Sequence, residues 1–239
     1  MDRFHLPAVS WDSLSLGGDE AHHCIRVMRK RPGDEIEIFD GEGRMARAII
    51  EEAGKRNVSL RLAGVEIRQA LSPVREVAVG IPKGKTMELI VQKAVELGAS
   101  RIIPLVTEQG NVRLGGEEAR RKQGKWQRLA LEACKQCGQN FIPEVTVPGG
   151  LREWLAEDQW NDGDRLSLVA ALEGERRGLR EALALSREKD ARMAIGPEGD
   201  FSPKEYHFLA ERGFEPVSLG PLILRTETAV LKMLSFAGE

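Results

Sequence analysis

Residues 219–230, LGPLILRTETAV, run from a Gly-Pro turn through apolar residues into Arg225, Thr226, Glu227 and Thr228. Thr and Glu belong at a helix start, but that role needs neither the arginine nor the preceding turn. A guanidinium here is a candidate to stabilise a developing anion; a structural salt bridge is the competing reading. A second strand-ending Gly-Pro lies in residues 194–205, AIGPEGDFSPKE. Ligands of open α/β sheets lie beyond the carboxyl ends of the strands, so two such loops predict a shared pocket; plain strand-to-helix turns are the alternative. Glycines let backbone approach a ligand closely and prolines stiffen the loops. With few cations at hand, such a pocket suits adenine or ribose better than a triphosphate.

Other chemistries fail on spacing. VGIPKGKTME (79–88) ends a strand with Gly-Lys-Thr, but Gly80 and Gly84 enclose three residues where a phosphate-wrapping loop needs four. There is no G-x-G-x-x-G. Three cysteines cannot make a four-cysteine zinc site, and Cys134 and Cys137 in CKQC read as helical, which argues against redox or metal roles. His22 and His23 lack metal-site spacing and read as surface side chains, free to contact a polyanion.

The elements that must carry the loops follow from periodicity. Residues 1–70 read mostly as strands: DEIEIFDGEGRMARAII (34–50) alternates on either side of Gly-Glu-Gly, a hairpin signature, and NVSLRLAGVEI (57–67) alternates again. GDEAHHCIRVM (18–28) reads as a short helix, and RQALSPVR (68–75) as the interdomain connection. Beyond it, strands EVAVGI, RIIPLV, RLSLVAAL and ARMAIG alternate with helices, which predicts a largely parallel sheet. In TMELIVQKAVELG (86–98) Met87, Ile90, Val91, Ala94 and Leu97 share a face and Gly98 ends it. SPKE (202–205) is a complete helix-capping signal. The expected domains are 1–70, a small barrel with a helix, and 71–239, an α/β domain.

The chain of 239 residues has a formal net charge of −2, yet RVMRKR (26–31) and residues 113–128 are locally basic. Such stripes can bind a polyanion, although a solvated surface explains either one alone. No apolar run reaches a membrane span and no signal-peptide pattern opens the chain, so the expected location is cytoplasmic.

HHCIRVMRKRPGDEIEIFDGEG, KGKTMELIVQKAVELGASRIIPLVTE, EACKQCGQNFIPE, IGPEGDFS and LGPLILRTETA occur in this order. Together they resemble the bacterial 16S ribosomal RNA uridine-N3 methyltransferases, the RsmE type of the SPOUT superfamily, over nearly the whole chain. The resemblance implies a PUA-like RNA-gripping barrel, then an α/β domain with a C-terminal trefoil knot. It implies S-adenosylmethionine as cofactor, held by Gly196, Glu198, Gly199, Leu219, Gly220, Ile223 and Leu224, with Leu172 at a further strand end. It implies a homodimer acting on ribosomal RNA of the small subunit, with the active site at the subunit interface.

Arg225 would orient the base and stabilise its N3 anion. Glu227 would position Arg225 or assist proton removal, or serve only as a helix-start carboxylate. Arg26, Arg29 and Lys30, joined by Lys83 and Lys93, would contact phosphates. The chain departs from the family at Gln109, Gln139 and Leu222, where arginines are usual, at Lys135 for an acid and at Asp200 for a glycine. Lys135, Arg113 and the 120–128 stripe are candidates to restore the lost charge. A SPOUT enzyme with another RNA target, and a catalytically silent RNA-binding or ribosome-assembly homologue, are the alternatives.

Overall fold

The computed structural model describes residues 1–110, 112–156, 165–184 and 188–238. They form two compact units: Met1–Ala70 joined by Cys134–Ile142, and Leu71–Ala133 joined by the chain from Pro143 onward.

The first unit contains β1 (Arg3–His5), β2 (Ser15–Gly17), α1 (Gly18–His22), β3 (Glu35–Phe39), β4 (Arg44–Ala53) and β5 (Asn57–Ile67). They make a five-stranded sheet in the order β1-β3-β4-β5-β2, antiparallel except between β1 and β3. The alternation read from the sequence is the mechanism: Ile36, Ile38, Ala46, Ala48 and Ile50 turn inward onto Phe4, Leu6, Leu16 and Val58. The helical stretch at 18–28 is shorter than its pattern promised, because α1 gives way to a π-helical turn over His23–Val27.

The hairpin glycines do more than turn the chain. A Cβ on Gly41 would stand 2.4 Å from Ile142 Cδ1, and one on Gly43 2.5 Å from Phe141 Cζ. The returning segment closes on this notch through a Glu42–Phe141 bridge. Arg3 fastens it: the guanidinium pairs with Glu37 at 2.6 Å, lies 4.1 Å over the Phe39 ring, and donates to Cys134 O and Gln139 O at 2.8 and 2.9 Å.

The second unit contains β6 (Arg75–Gly80), α2 (Thr86–Glu96), β7 (Arg101–Leu105), most of α3 (Gly116–Cys137), β8 (Glu144–Val145), α4 (Leu151–Ala156), β9 (Arg165–Ala170), β10 (Arg177–Gly178), α5 (Leu179–Ala184), β11 (Asp190–Ile195), α6 (Pro203–Glu211), β12 (Glu215–Ser218) and α7 (Thr226–Ala237). Its sheet runs β10-β12-β9-β11-β6-β7-β8 with every pair parallel. Strands covered on both faces need unbroken apolar runs, and every residue of β6 is buried. In α2 the helix stops at Glu96, so Leu97 is only half-buried at the C-cap and Val95 completes the apolar face. Gly98 follows at φ +79°, the left-handed stop. Ser202 caps α6 as its motif predicts, its hydroxyl accepting Glu205 N–H while Glu205 Oε2 accepts Ser202 N–H. Among the described residues no helix is long and apolar enough to cross a membrane.

Candidate active site

Strands β12, β9, β11 and β6 are neighbours and parallel, so their carboxyl ends open on one edge of the sheet. The chain leaves β11 through Gly196-Pro197 and β12 through Leu219-Gly220-Pro221, and the two loops meet there. Thr226 Oγ1 donates to Gly196 O at 3.2 Å, tying the first residue of α7 to the opposite loop. Close approach explains the glycines. A Cβ on Gly80, at the end of β6, would lie 2.4 Å from Pro197 Cδ, and Gly220 holds φ +116°.

Between the loops lies a cavity of about 370 Å³. Of the residues singled out from sequence, Leu172, Gly196, Glu198, Leu219, Gly220, Ile223, Leu224 and Arg225 line it. Gly199 and Glu227 are not among the lining residues. Gly199 instead backs onto the preceding loop, where a Cβ would stand 3.1 Å from Gln109 O. Glu227 sits half-buried in the first turn of α7. The wall is otherwise small and apolar, with Ala170, Ala171, Ile195 and Ala229. Its charges balance, Arg176 and Arg225 against Glu198 and Asp200. A slot of this kind, walled by backbone, fits a nucleoside that bears charges of both signs, as S-adenosylmethionine does.

Arg225 is the N-cap of α7 and its side chain is exposed. Among the described residues it makes no ion pair or side-chain hydrogen bond, so the structural salt bridge considered from sequence is not formed. Glu198 is committed, since its Oε1 accepts Lys83 N–H at 3.0 Å. That bond occupies a backbone amide of the loop that imitates a phosphate-binding turn.

Arg176, Asp200 and Tyr206 emerge only from the structure as a coupled set. Arg176 donates to Ala171 O at 3.0 Å and to Leu172 O, holding the end of β9. It follows its strand with no periodicity that could flag it. Asp200 adopts φ +61° and accepts the Tyr206 phenol at 2.8 Å. Burial first, then this hydrogen bond, pushes the Tyr206 phenol far above its usual range.

None of the other basic residues singled out from sequence lines the cavity. Arg26 and Arg29 are exposed around Val27 and Met28, which are 58% and 39% accessible. Lys30 pairs with Asp2 at 2.7 Å, Lys93 with Glu96 at 2.8 Å, and the Lys83 side chain is exposed. Two proposed substitutes for the missing arginines are engaged internally. Lys135 forms a buried ion pair with Glu20, and Arg113 folds onto the carbonyls of Thr107, Glu108, Gly110 and Val112. Gln139 Oε1 accepts the N–H groups of Asn140 and Phe141. Among the described residues no His, Cys, Asp and Glu cluster could hold a metal.

The family model for an RNA methyltransferase domain matches residues 71–238, and that for an RNA methyltransferase PUA domain matches residues 16–63. The chain is 32% identical over 229 residues to ribosomal RNA small subunit methyltransferase E of Bacillus subtilis, covering 93% of this chain and 88% of that one. It is 31% identical to the protein of the same name from Aquifex aeolicus, covering 93% and 92%. Its structure superposes with a TM-score of 0.86 on ribosomal RNA small subunit methyltransferase E of Neisseria gonorrhoeae bound to S-adenosylmethionine, at 31% identity over 98% of this chain and 96% of that one. A Legionella pneumophila protein crystallised with the same cofactor superposes with a TM-score of 0.87, at 32% identity over 99% and 96%.

Proposed function

The chain belongs to the family of ribosomal RNA small subunit methyltransferases E, and from that premise we propose that it methylates N3 of a uridine in 16S ribosomal RNA. The observation that carries the proposal is Arg225, an uncommitted guanidinium on the wall of a cavity suited to S-adenosylmethionine. When bound, the cofactor supplies an electrophilic methyl group on its sulfonium.

The remaining task falls to the protein. Uridine N3 bears a proton and becomes nucleophilic only on losing it, so the base must be unpaired and its anion stabilised. Arg225 does this, set at the mouth of the cavity by the β12 loop and the start of α7. Glu227 serves the helix N-terminus, where a carboxylate opposes the positive end of the peptide dipoles. Gly196, Leu219, Gly220 and Leu224 would hold the nucleoside, and Pro197 keeps the first loop stiff. Arg26 and Arg29 of the PUA-like unit, with Lys83, take phosphates, because their side chains are exposed.

The same reading includes a trefoil knot at the Gly196 and Gly220 loops, a homodimer and a cytoplasmic site of action. What supports the dimer is the exposed apolar rim of the cavity, where Leu172 and Ile223 are 45% and 81% accessible. Incubation with labelled S-adenosylmethionine and unmodified 30S subunits tests the function. Label in uridine N3 is expected. Label on another atom moves the target, and no label despite measured binding of cofactor and RNA defeats the catalytic reading.

A further inference from the structure

Asp200 stands in the left-handed region at φ +61°, a conformation that a side chain adopts at a steric cost and glycine does not. It is half-buried in the wall of the cavity and tightly fixed. Its Oδ1 accepts Phe201 N–H at 2.8 Å and the Tyr206 O–H at 2.8 Å, and the same oxygen would lie 2.8 Å from a Cβ on Gly196. Tyr206 O–H is also 3.2 Å from Ala170 O at the end of β9, so the carboxylate is clamped between the ends of β9 and β11. The other charges facing the cavity are differently engaged. Glu198 is exposed and turned to Lys83 N–H, Arg176 holds the Ala171 and Leu172 carbonyls, and Arg225 lies at the rim.

Asp200 is one of the residues lining the cavity of about 370 Å³, so its carboxylate acts on a cation held there over a short and weakly screened distance. Methyl transfer leaves the C–S electron pair on sulfur and removes one positive charge from the bound cofactor. We propose that Asp200 is a charge-selecting residue of the cofactor site, favouring the sulfonium form over the neutral thioether that remains after transfer. The inference rests on the methyltransferase reading and adds to it a means of exchanging spent for fresh cofactor.

Calorimetric titration of the full chain with S-adenosylmethionine, S-adenosylhomocysteine and sinefungin, whose amine replaces the sulfonium charge, provides the test. Asp200→Asn keeps an acceptor for Phe201 and Tyr206 and tolerates the left-handed backbone. It is expected to weaken the two cationic ligands about three- to tenfold relative to the neutral one. Asp200→Gly, which relieves the strain, is expected to show the same loss of preference with a melting temperature no lower than wild type. Equal changes for all three ligands, or none, would reduce Asp200 to a loop cap and overturn the inference. Failure of the wild type to bind any of the three would instead remove the cofactor reading beneath it.

Discussion

Arg225 is placed by its backbone and left free by its side chain, which separates two roles that a mutation can distinguish. Arg225→Ala keeps the N-cap backbone of α7 and removes only the guanidinium. It is expected to leave the cofactor dissociation constant within a factor of about two, while single-turnover methyl transfer slows on the order of 100-fold or more. Equal losses in both would make Arg225 structural. Leu222 is the contrasting case, an apolar residue 76% exposed on the same loop. If it faces phosphate, Leu222→Arg should tighten RNA binding and steepen the log–log salt slope by about one unit, read from binding isotherms at several salt concentrations. Lys135 is excluded from that electrostatic role because its amine is buried against Glu20. Lys135→Ala is expected to cost about 1–2 kcal/mol in denaturant unfolding, since it leaves the half-buried Glu20 carboxylate without its cation although His5 N–H still donates to it, and to leave the RNA salt slope unchanged.

The strands and helices that carry the site were largely legible in the sequence, and so was the pairing of the two Gly-Pro loops. Alternation at 34–50 and 57–67 encodes a sheet with one buried face, and apolar runs such as EVAVGI encode strands covered on both faces. The capping box at Ser202 is a local signal and needed no tertiary information. Contacts between distant segments left no such trace. Tyr206 reads as one more residue of α6 until β9 brings Ala170 O within 3.2 Å. Arg113 reads as part of a basic stripe until the preceding loop curls around it. Gly80 reads as half of a failed phosphate loop, yet its missing Cβ admits Pro197. Gly80→Ala is therefore expected to displace the Gly196-Pro197 loop. It should weaken cofactor binding at least tenfold in calorimetry, with the affinity for RNA unchanged.

Across the whole molecule, the three thiols all fall in the first unit and report its packing. Burial raises the pKa of Cys24 to about 11 and that of Cys134 to about 12, whereas Cys137 is exposed at the end of α3. Because the thiolate is the reactive form, a disulfide reagent at about pH 8 is expected to titrate one thiol in the native protein and three after denaturation. Sedimentation should likewise show a dimer that Ile223→Asp converts to monomer, if the exposed rim of the cavity is the subunit contact. The return of Cys134–Ile142 to the first unit bears on how the protein is made. During translation the segment that fills the notch at Gly41 and Gly43 emerges only after β6, α2 and β7. The RNA-gripping unit must wait, unfinished, while much of its neighbour leaves the ribosome, and a gene cut after residue 70 would not transplant it as a freestanding module.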